Sequence, residues 1–191
     1  MSTNQSDANP SAPRRCVFFD RDGVVNEWPG PGNYVTSWDN FRFLPEFAPV
    51  LKLVTQRGYA AIIVTNQRGV ARGIMSLDTV QDMHRRLRDL LQNNYGLRVL
   101  DILVCPHEKN SCSCRKPAPG MLLDAARAHR IDLAASWMVG DSAKDVEAGR
   151  RAGCHTVLLG NREQAEQADH HVANLAELHA LLARVLVEHK T

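Results

Sequence analysis

The segment CPHEKNSCSCRKP, residues 105–117, places four side chains that bind metals within ten positions. They are Cys105, His107, Cys112 and Cys114. Three thiolates and an imidazole form a Cys₃His set of the kind that closes a tetrahedral zinc site and leaves no position open for substrate. The alternative is ordinary thiols with a surface histidine, although a disulfide between Cys112 and Cys114 would close too tight a loop. We therefore predict a structural Zn²⁺, which supplies folding free energy that a short polar loop lacks.

Carboxylates and hydroxyl groups follow three predicted strands. Asp20 and Asp22 come after the first, Thr65 and Asn66 end the second, and Asp141 follows a later one. Each has a structural explanation when taken alone, because Asp-Gly pairs are common in turns. Their occurrence after successive strands favours a site, since the carboxyl ends of parallel strands form the crevice where α/β proteins bind ligands. Three carboxylates there predict a cation, and hard oxygen ligands favour Mg²⁺.

This set of residue types is typical of phosphoryl transfer to an aspartate. A carboxylate attacks a phosphoryl group only when the repulsion between the two anions is neutralised. Mg²⁺ supplies part of that neutralisation, and Lys116 lies in the sequence between the second and third of these strand ends. Because Arg115 and Lys116 directly follow the last zinc ligand, we expect the zinc loop to determine where both cations point.

The elements that position these residues alternate between apolar strands and amphipathic helices. The pattern predicts an α/β fold, a Rossmann-like and mostly parallel sheet with helices on both faces and no large cap domain. Helical spacing of Phe47, Val50, Leu51 and Val54 predicts a helix that ends at Gly58, and Ser76 is an expected N-cap. The predicted strands are 16–20, 59–65, 99–105, 136–140 and 155–160, and the further helices are 76–91, 119–130, 143–152 and 175–188.

Length and composition limit the class of protein. The chain of 191 residues is 44% hydrophobic, which suits one domain over 16–191, preceded by a Ser-, Asn- and Pro-rich tail, 1–15, that we expect to be disordered. A net charge of +2 without long blocks of like charge argues against a nucleic-acid partner. The apolar runs are too short to span a bilayer, and the N-terminal segment lacks an apolar signal region. We expect a monomer in the cytoplasm.

Four motifs resemble those of the haloacid dehalogenase superfamily of phosphatases: FFDRDGVVN, VTNQ, RKP and GDSAKD, over about residues 15–160. The resemblance implies that Asp20 is the nucleophile of an aspartyl-phosphate intermediate. It implies that Asp22 is the general acid and then the general base. Thr65 and Asn66 would hydrogen-bond the phosphoryl oxygens, and Lys116 would balance charge in the transition state.

The same resemblance implies a ligand set for Mg²⁺. The Asp20 carboxylate, the Asp22 backbone carbonyl and the Asp141 carboxylate would hold the ion, while Asp145 would orient its neighbours. The substrate-binding residues that we expect are Asn66, Gln67, Arg68, Arg72, Arg115 and Ser142.

Within the superfamily, CPH…CxCRKPxPGM resembles phosphatases that convert D-glycero-manno-heptose 1,7-bisphosphate to heptose 1-phosphate, in carbohydrate metabolism that serves lipopolysaccharide biosynthesis. In that branch Arg115 would pair with the second phosphate. Arg72 is a further candidate for this role or a solvated loop charge. Ser142 stands where the heptose enzymes carry lysine, and Lys144 is the nearby cation that could replace it.

Other functions stay open on these residues. The nearest branch acts on histidinol phosphate, and another small phosphorylated metabolite is a further alternative. A mutase shares the aspartyl-phosphate step, but mutases of this superfamily usually carry a cap domain. An inactive, zinc-containing phosphatase-like scaffold would normally have lost a catalytic carboxylate, and a zinc-dependent binding module leaves Asp20, Asp22 and Asp141 unexplained.

Overall fold

The structure of the chain is a computed structural model that describes residues 12–160 and 168–187. The strands are β1 (Cys16–Phe19), β2 (Ala60–Asn66), β3 (Asp101–Cys105), β4 (Trp137–Gly140), β5 (His155–Leu159) and β6 (His170–Val172). The helices are α1 (Phe47–Gln56), α2 (Leu77–Tyr95), α3 (Gly120–His129), α4 (Ala143–Ala152) and α5 (Leu175–Val185), with a 3-10 turn at Trp38–Asn40.

The six strands form one parallel sheet in the order β3-β2-β1-β4-β5-β6. The chain builds outward from β1 to β2 and β3, and then crosses back to add β4, β5 and β6 on the other side. The order therefore reverses between β1 and β4, and ligands of such sheets bind at this switch point. The predicted α/β fold with a mostly parallel sheet is confirmed.

Helices cover both faces of the sheet because its central strand is apolar on both. Val17 and Phe19 of β1 belong to one core, which α1, α2 and α5 complete, and the Phe19 and Phe47 rings meet edge to face at 5.0 Å. Cys16 and Phe18 belong to the opposite core, under α3. A strand buried on both faces reads as a continuous apolar run, which is what CVFF does.

Most predicted element boundaries lie within two residues of the observed ones. Ser76 caps α2 as predicted, accepting a hydrogen bond from the Thr79 backbone N–H at 3.0 Å. The helix predicted over 175–188 ends at Val185, and its last predicted residue lies outside the described residues. Strand β6 was not predicted, because a three-residue strand that begins with two histidines gives no periodic apolar signal.

The predicted N-terminal tail falls mostly on residues 1–11, which lie outside the described residues. Ordered contacts begin before the predicted boundary at residue 16. The Arg14 backbone N–H donates to the Arg130 carbonyl at 2.8 Å, and the Arg14 carbonyl accepts from Asp132 at 2.8 Å.

Between β1 and α1 the described chain forms isolated bridges and the 3-10 turn, with no added cap domain. Within the described ranges we find no helix with the length and apolar character needed to cross a membrane.

Candidate active site

The carboxyl ends of β1, β2 and β4 open into one cavity of about 1300 Å³. Asp20, Thr65, Lys116 and Asp141 line it, together with Asp22. Residues 27–35 form one wall of this cavity. The sheet therefore brings together the polar residues that the sequence places after separate strands.

Lys116 is the buried cation of the site, with 2% of its side chain exposed. Its ammonium lies 2.7 Å from Asp20 Oδ1 and 2.6 Å from Asp145 Oδ1, and donates to the Val64 carbonyl at 2.8 Å. Burial opposes the charge, but the carboxylates of Asp145 and Asp20 raise the pKa of Lys116 above its ordinary value. Lys116 is therefore charged beside the predicted nucleophile.

Acidic charge at the site exceeds what one lysine balances. Burial raises the pKa of Asp20 to about 8, with Asp145 and Asp141 adding to the rise and Lys116 opposing it. Burial, followed by Asp145, raises the pKa of Asp141 to about 7. Oxygens of these three carboxylates lie within 4.8 Å of one another. A compact set of hard oxygen donors with surplus negative charge fits Mg²⁺.

Two details separate Asp141 from Asp145. A Cβ on Gly23, whose φ is +91°, would lie 2.1 Å from Asp141 Oδ2, so only glycine lets this carboxylate approach the turn after β1. Asp145 instead uses both of its oxygens within the protein. Oδ1 faces Lys116, and Oδ2 accepts hydrogen bonds from the Ser142 hydroxyl at 2.5 Å and the Ser142 N–H at 3.2 Å.

Three side chains hold the Asp22 carboxylate. Arg21 donates through Nε and Nη2 to Oδ1, at 3.1 and 2.9 Å, and through Nη2 to Oδ2 at 3.1 Å. Asn26 Nδ2 donates to Oδ1 at 2.9 Å, and Gln67 Nε2 donates to Oδ2 at 3.1 Å. Oδ1 thus accepts three hydrogen bonds, at 2.9, 2.9 and 3.1 Å, whereas Oδ2 accepts two, both at 3.1 Å.

The predicted zinc ligands converge. Cys105 Sγ lies 3.6 Å from Cys112 Sγ and 3.7 Å from His107 Nδ1, and Cys114 Sγ lies 3.4 Å from Cys112 Sγ and 3.2 Å from His107 Nδ1. Tetrahedral coordination at ordinary Zn–S and Zn–N lengths requires ligand separations of about 3.5–3.8 Å. The observed separations equal these values or are shorter by up to about 0.4 Å, so small outward shifts would let the four atoms bind one zinc ion. The loop that carries them leaves the carboxyl end of β3.

Cationic side chains ring the mouth of the cavity. Arg68 and Arg72 both pair with Glu108 of the zinc loop, the second at 3.6 Å, and Arg115 Nη1 donates to the His107 carbonyl at 3.3 Å. Among the described residues, five cations line the cavity outside the buried centre: Arg68, Arg72, Lys109, Arg115 and Lys144. Their number suits a substrate that carries more than one phosphate.

Comparisons with known proteins agree with this geometry. A HAD-hydrolase-like family model matches residues 113–181. The D-glycero-beta-D-manno-heptose-1,7-bisphosphate 7-phosphatase of Rhodopseudomonas palustris is 40% identical over 168 residues, which cover 83% of this chain and 89% of the relative. The chain belongs to this family of HAD-like phosphatases.

Two further relatives show how broad the similarity is. The D-glycero-alpha-D-manno-heptose-1,7-bisphosphate 7-phosphatase of Mycobacterium bovis is 38% identical, over 81% of this chain and 84% of the relative. The crystal structure of D,D-heptose 1,7-bisphosphate phosphatase from B. bronchiseptica, complexed with magnesium and phosphate, superposes with a TM-score of 0.78 at 32% identity. The match covers 88% of this chain and 97% of the B. bronchiseptica chain. The family therefore includes enzymes named for both anomers.

Three of the residues predicted to bind substrate form hydrogen bonds with other residues of the site. Asn66 Nδ2 donates to the Lys116 carbonyl at 3.0 Å, and Asn66 Oδ1 accepts from the Lys116 N–H at 3.1 Å. Gln67, 2% exposed, donates to Thr65 Oγ1 at 2.8 Å as well as to Asp22. Ser142 donates to Asp145. These three residues line the cavity, but their observed hydrogen bonds orient neighbouring site residues.

Sequence reasoning missed the support around Asp22. Arg21 is completely buried, as is Asn26, and Arg21 Nη1 lies 3.1 Å from His84 Nε2 on α2. The expectation for an arginine between two aspartates in a turn is exposure to solvent. The feature of the sequence that could have revealed this support is His84, a polar residue next to Met83 on the apolar stripe of α2.

The environment of His84 predicts a pH dependence of stability. Burial, and then the positive charges of Arg21 and Arg88, lower the pKa of His84 to about 3 against the opposing effect of Asp22. Below the unfolded pKa of about 6.5 the unfolded chain takes up a proton that the folded chain refuses. The contribution of His84 to stability should therefore fall by about 1.4 kcal/mol for each unit by which the pH is lowered from about 6.5 to 3. The raised pKa values of Asp20 and Asp141 act in the opposite direction, so the contribution of His84 is read from a comparison with a variant that lacks it.

Urea unfolding of the wild type and of His84→Gln between pH 7 and 4.5 measures this dependence. Glutamine keeps a hydrogen-bond acceptor without titrating, so the free energy of unfolding of the wild type should decrease relative to that of the variant as the pH is lowered over this interval. Parallel curves for the two proteins would contradict the assignment of the slope to His84.

Proposed function

We propose that the chain is a Mg²⁺-dependent phosphatase that hydrolyses the 7-phosphate of D-glycero-manno-heptose 1,7-bisphosphate through an aspartyl-phosphate. The observation that carries the proposal is the buried Lys116 ammonium, 2.7 Å from Asp20 Oδ1, because it gives Asp20 a cationic partner for an incoming phosphoryl group. The names of the relatives and the magnesium and phosphate bound in the B. bronchiseptica enzyme support the substrate and the ion.

In the first step an Asp20 oxygen attacks phosphorus, and the bond from phosphorus to the ester oxygen breaks. The leaving oxygen takes a proton from Asp22. Oδ2 suits this role because it accepts two hydrogen bonds, both at 3.1 Å, whereas Oδ1 accepts three. Thr65 Oγ1 accepts from Gln67 at 2.8 Å, which leaves its own proton to donate to a phosphoryl oxygen.

In the second step water attacks the aspartyl-phosphate and gives its proton to Asp22. The bond between phosphorus and Asp20 breaks, so that orthophosphate leaves and the carboxylate is restored. Lys116 offsets the negative charge on the phosphoryl oxygens in both steps. The Asp20 and Asp141 carboxylates and the Asp22 carbonyl would hold Mg²⁺, which when bound neutralises the charge that the phosphoryl group brings to Asp20.

We also propose that the Cys₃His set binds a zinc ion with a structural role. The Cys₃His set leaves no open coordination position, so zinc would take no part in the reaction. Its loop supplies Arg115 and Lys116, and the Gly120 N–H donates to the Ser113 carbonyl at 3.1 Å, which joins the loop to the start of α3.

We further propose that the protein is a monomer located in the cytoplasm. Size-exclusion chromatography tests the oligomeric state.

The experiment that tests the function compares kcat/KM for both heptose 1,7-bisphosphate anomers and for histidinol phosphate, with Mg²⁺ and with Asp20→Asn as the blank. Strong preference for a heptose bisphosphate supports the proposal and shows that Ser142 is compatible with it. Preference for histidinol phosphate, or weak turnover of all three, rejects the substrate and retains the phosphatase chemistry.

Arg115→Ala tests the second phosphate site. Loss of a charge-assisted contact costs about 1.5–3 kcal/mol, so kcat/KM for the bisphosphate should fall about 10- to 100-fold. Heptose 7-phosphate, which lacks the second phosphate, should be affected less than threefold. The measurement is the ratio of kcat/KM for the two substrates.

Lys109→Ala is the matched control, because Lys109 also lines the cavity and carries the same charge. It should change the ratio by less than Arg115→Ala does. Equal losses with both substrates would assign Arg115 to the structure of the zinc loop instead.

A further inference from the structure

Arg21 is a fully buried charge that the reaction steps above leave without a role. Its guanidinium makes three contacts with the Asp22 carboxylate, and its carbon Cζ lies 5.7 Å from the centroid of the Phe41 ring. Its backbone N–H also donates to Asp20 Oδ1 at 2.7 Å. One residue thus contacts both the predicted nucleophile and the predicted proton donor.

His84 holds the other end of this guanidinium. Arg21 Nη1 can only donate, so His84 Nε2, 3.1 Å away, accepts and the imidazole is neutral. His84 is 6% exposed and lies on α2, a 19-residue helix packed in the core. Arg21 is therefore held at Nη1 by His84 on α2 and at Nε and Nη2 by Asp22.

We propose that His84 is a positioning residue, which acts through Arg21 to orient the Asp22 carboxylate for proton transfer to the leaving group. The inference rests on the proposed function of Asp22. A buried donor that loses its acceptor costs free energy, so without His84 the guanidinium would move to find another partner. Because Arg21 makes three of the five contacts to Asp22, that movement would displace the carboxylate.

Leaving-group dependence separates this role from a merely structural one. Phenyl phosphate has a poor leaving group that needs a proton from Asp22, whereas the leaving group of p-nitrophenyl phosphate departs without one. The two esters differ little in size, and kcat/KM reports the steps through formation of the aspartyl-phosphate. Displacement of Asp22 should therefore affect phenyl phosphate selectively, whatever sugar the enzyme prefers.

The test uses the full chain with Mg²⁺ and three variants. In His84→Met, which removes the acceptor at similar volume, kcat/KM for phenyl phosphate should fall about tenfold and that for p-nitrophenyl phosphate less than twofold. His84→Gln, which restores an acceptor, should return both values to within about twofold of the wild type. If His84→Met fails to fold, His84→Asn, whose amide is too short to reach Nη1, takes its place.

His129→Met is the matched control, because His129 makes a comparable contact, 2.8 Å to Asp101, at the amino end of β3, whereas Asp22 lies beyond the carboxyl end of β1. It should leave the ratio of the two esters unchanged. Equal losses with both esters in the His84 variants, no loss at all, or failure of His84→Gln to restore activity would each overturn the inference. If the wild type itself shows no hydrolysis that Asp20→Asn removes, the proposed function fails and the inference fails with it.

Discussion

Asp20→Asn should lower kcat by at least about 10⁴-fold, since a carboxamide cannot form the aspartyl-phosphate through which the proposed reaction proceeds. The expectation depends on geometry as well as residue type. Asp20 is the carboxylate that shares Lys116 with Asp145, but only Asp20 lies at the end of the central strand with an oxygen left for a phosphoryl group. Phosphate release under saturating Mg²⁺ measures the loss.

The folded protein should tolerate this substitution. The raised pKa of Asp20, about 8, means that the folded state disfavours its charged form at neutral pH, and asparagine removes that charge. The melting temperature without Mg²⁺ should therefore stay the same or rise, which excludes unfolding as the cause of inactivity.

Asp145→Asn provides the matched control for Asp20→Asn. It makes the same chemical change to the other carboxylate that Lys116 contacts, but both Asp145 oxygens already have partners within the protein. Its loss of activity should be smaller. If Asp145→Asn abolished activity while Asp20→Asn retained more than a few per cent, Asp20 would not be the nucleophile.

The sequence is sufficient to predict where the candidate site residues meet, because strands that are apolar on both faces indicate a parallel sheet. Asp20, Thr65 and Asp141 come together for that reason alone. Local patterns do not reveal which neighbours a side chain finds across the fold. Asn66 contacts Lys116, 50 positions later, and Arg21 contacts His84, 63 positions later.

Dependence on residues far away in the sequence also explains why strand β6 and the burial of Arg21 were not predicted. β6 consists of three residues that begin with two histidines, so its place in the sheet depends on pairing with β5 and not on its own pattern. Arg21 occupies a turn where solvent exposure is the ordinary expectation, but it is buried and contacts Phe41, Asn26 and His84. By contrast the zinc ligands lie close together in the chain, which is why spacing alone predicts their cluster.

Cys112→Ser should lower both stability and activity, because the predicted zinc loop and Lys116, the predicted catalytic lysine, are parts of one structure. Cys114 is followed at once by Arg115 and Lys116, and the Lys116 backbone is fixed on its other side by Asn66. A Cβ on Gly120 would lie 2.3 Å from the Ser113 carbonyl, which shows how closely the loop packs on α3. Structural zinc contributes about 10 kcal/mol or more to the folding of small sites. We expect a loss of at least about 3 kcal/mol and at least a tenfold fall in kcat.

Ser113→Ala is the control within the same loop, since it changes a residue that is not a zinc ligand and whose carbonyl, not its side chain, binds Gly120. Zinc content, urea unfolding and kcat are measured on both variants. Coupled losses in Cys112→Ser alone would mean that the metal fixes the position of Lys116, since no zinc ligand lines the cavity. A zinc-free Cys112→Ser with unchanged stability and unchanged kcat would rule out that coupling. Loss of stability with unchanged kcat would show that Asn66 and the contacts of the ammonium hold Lys116 without the loop.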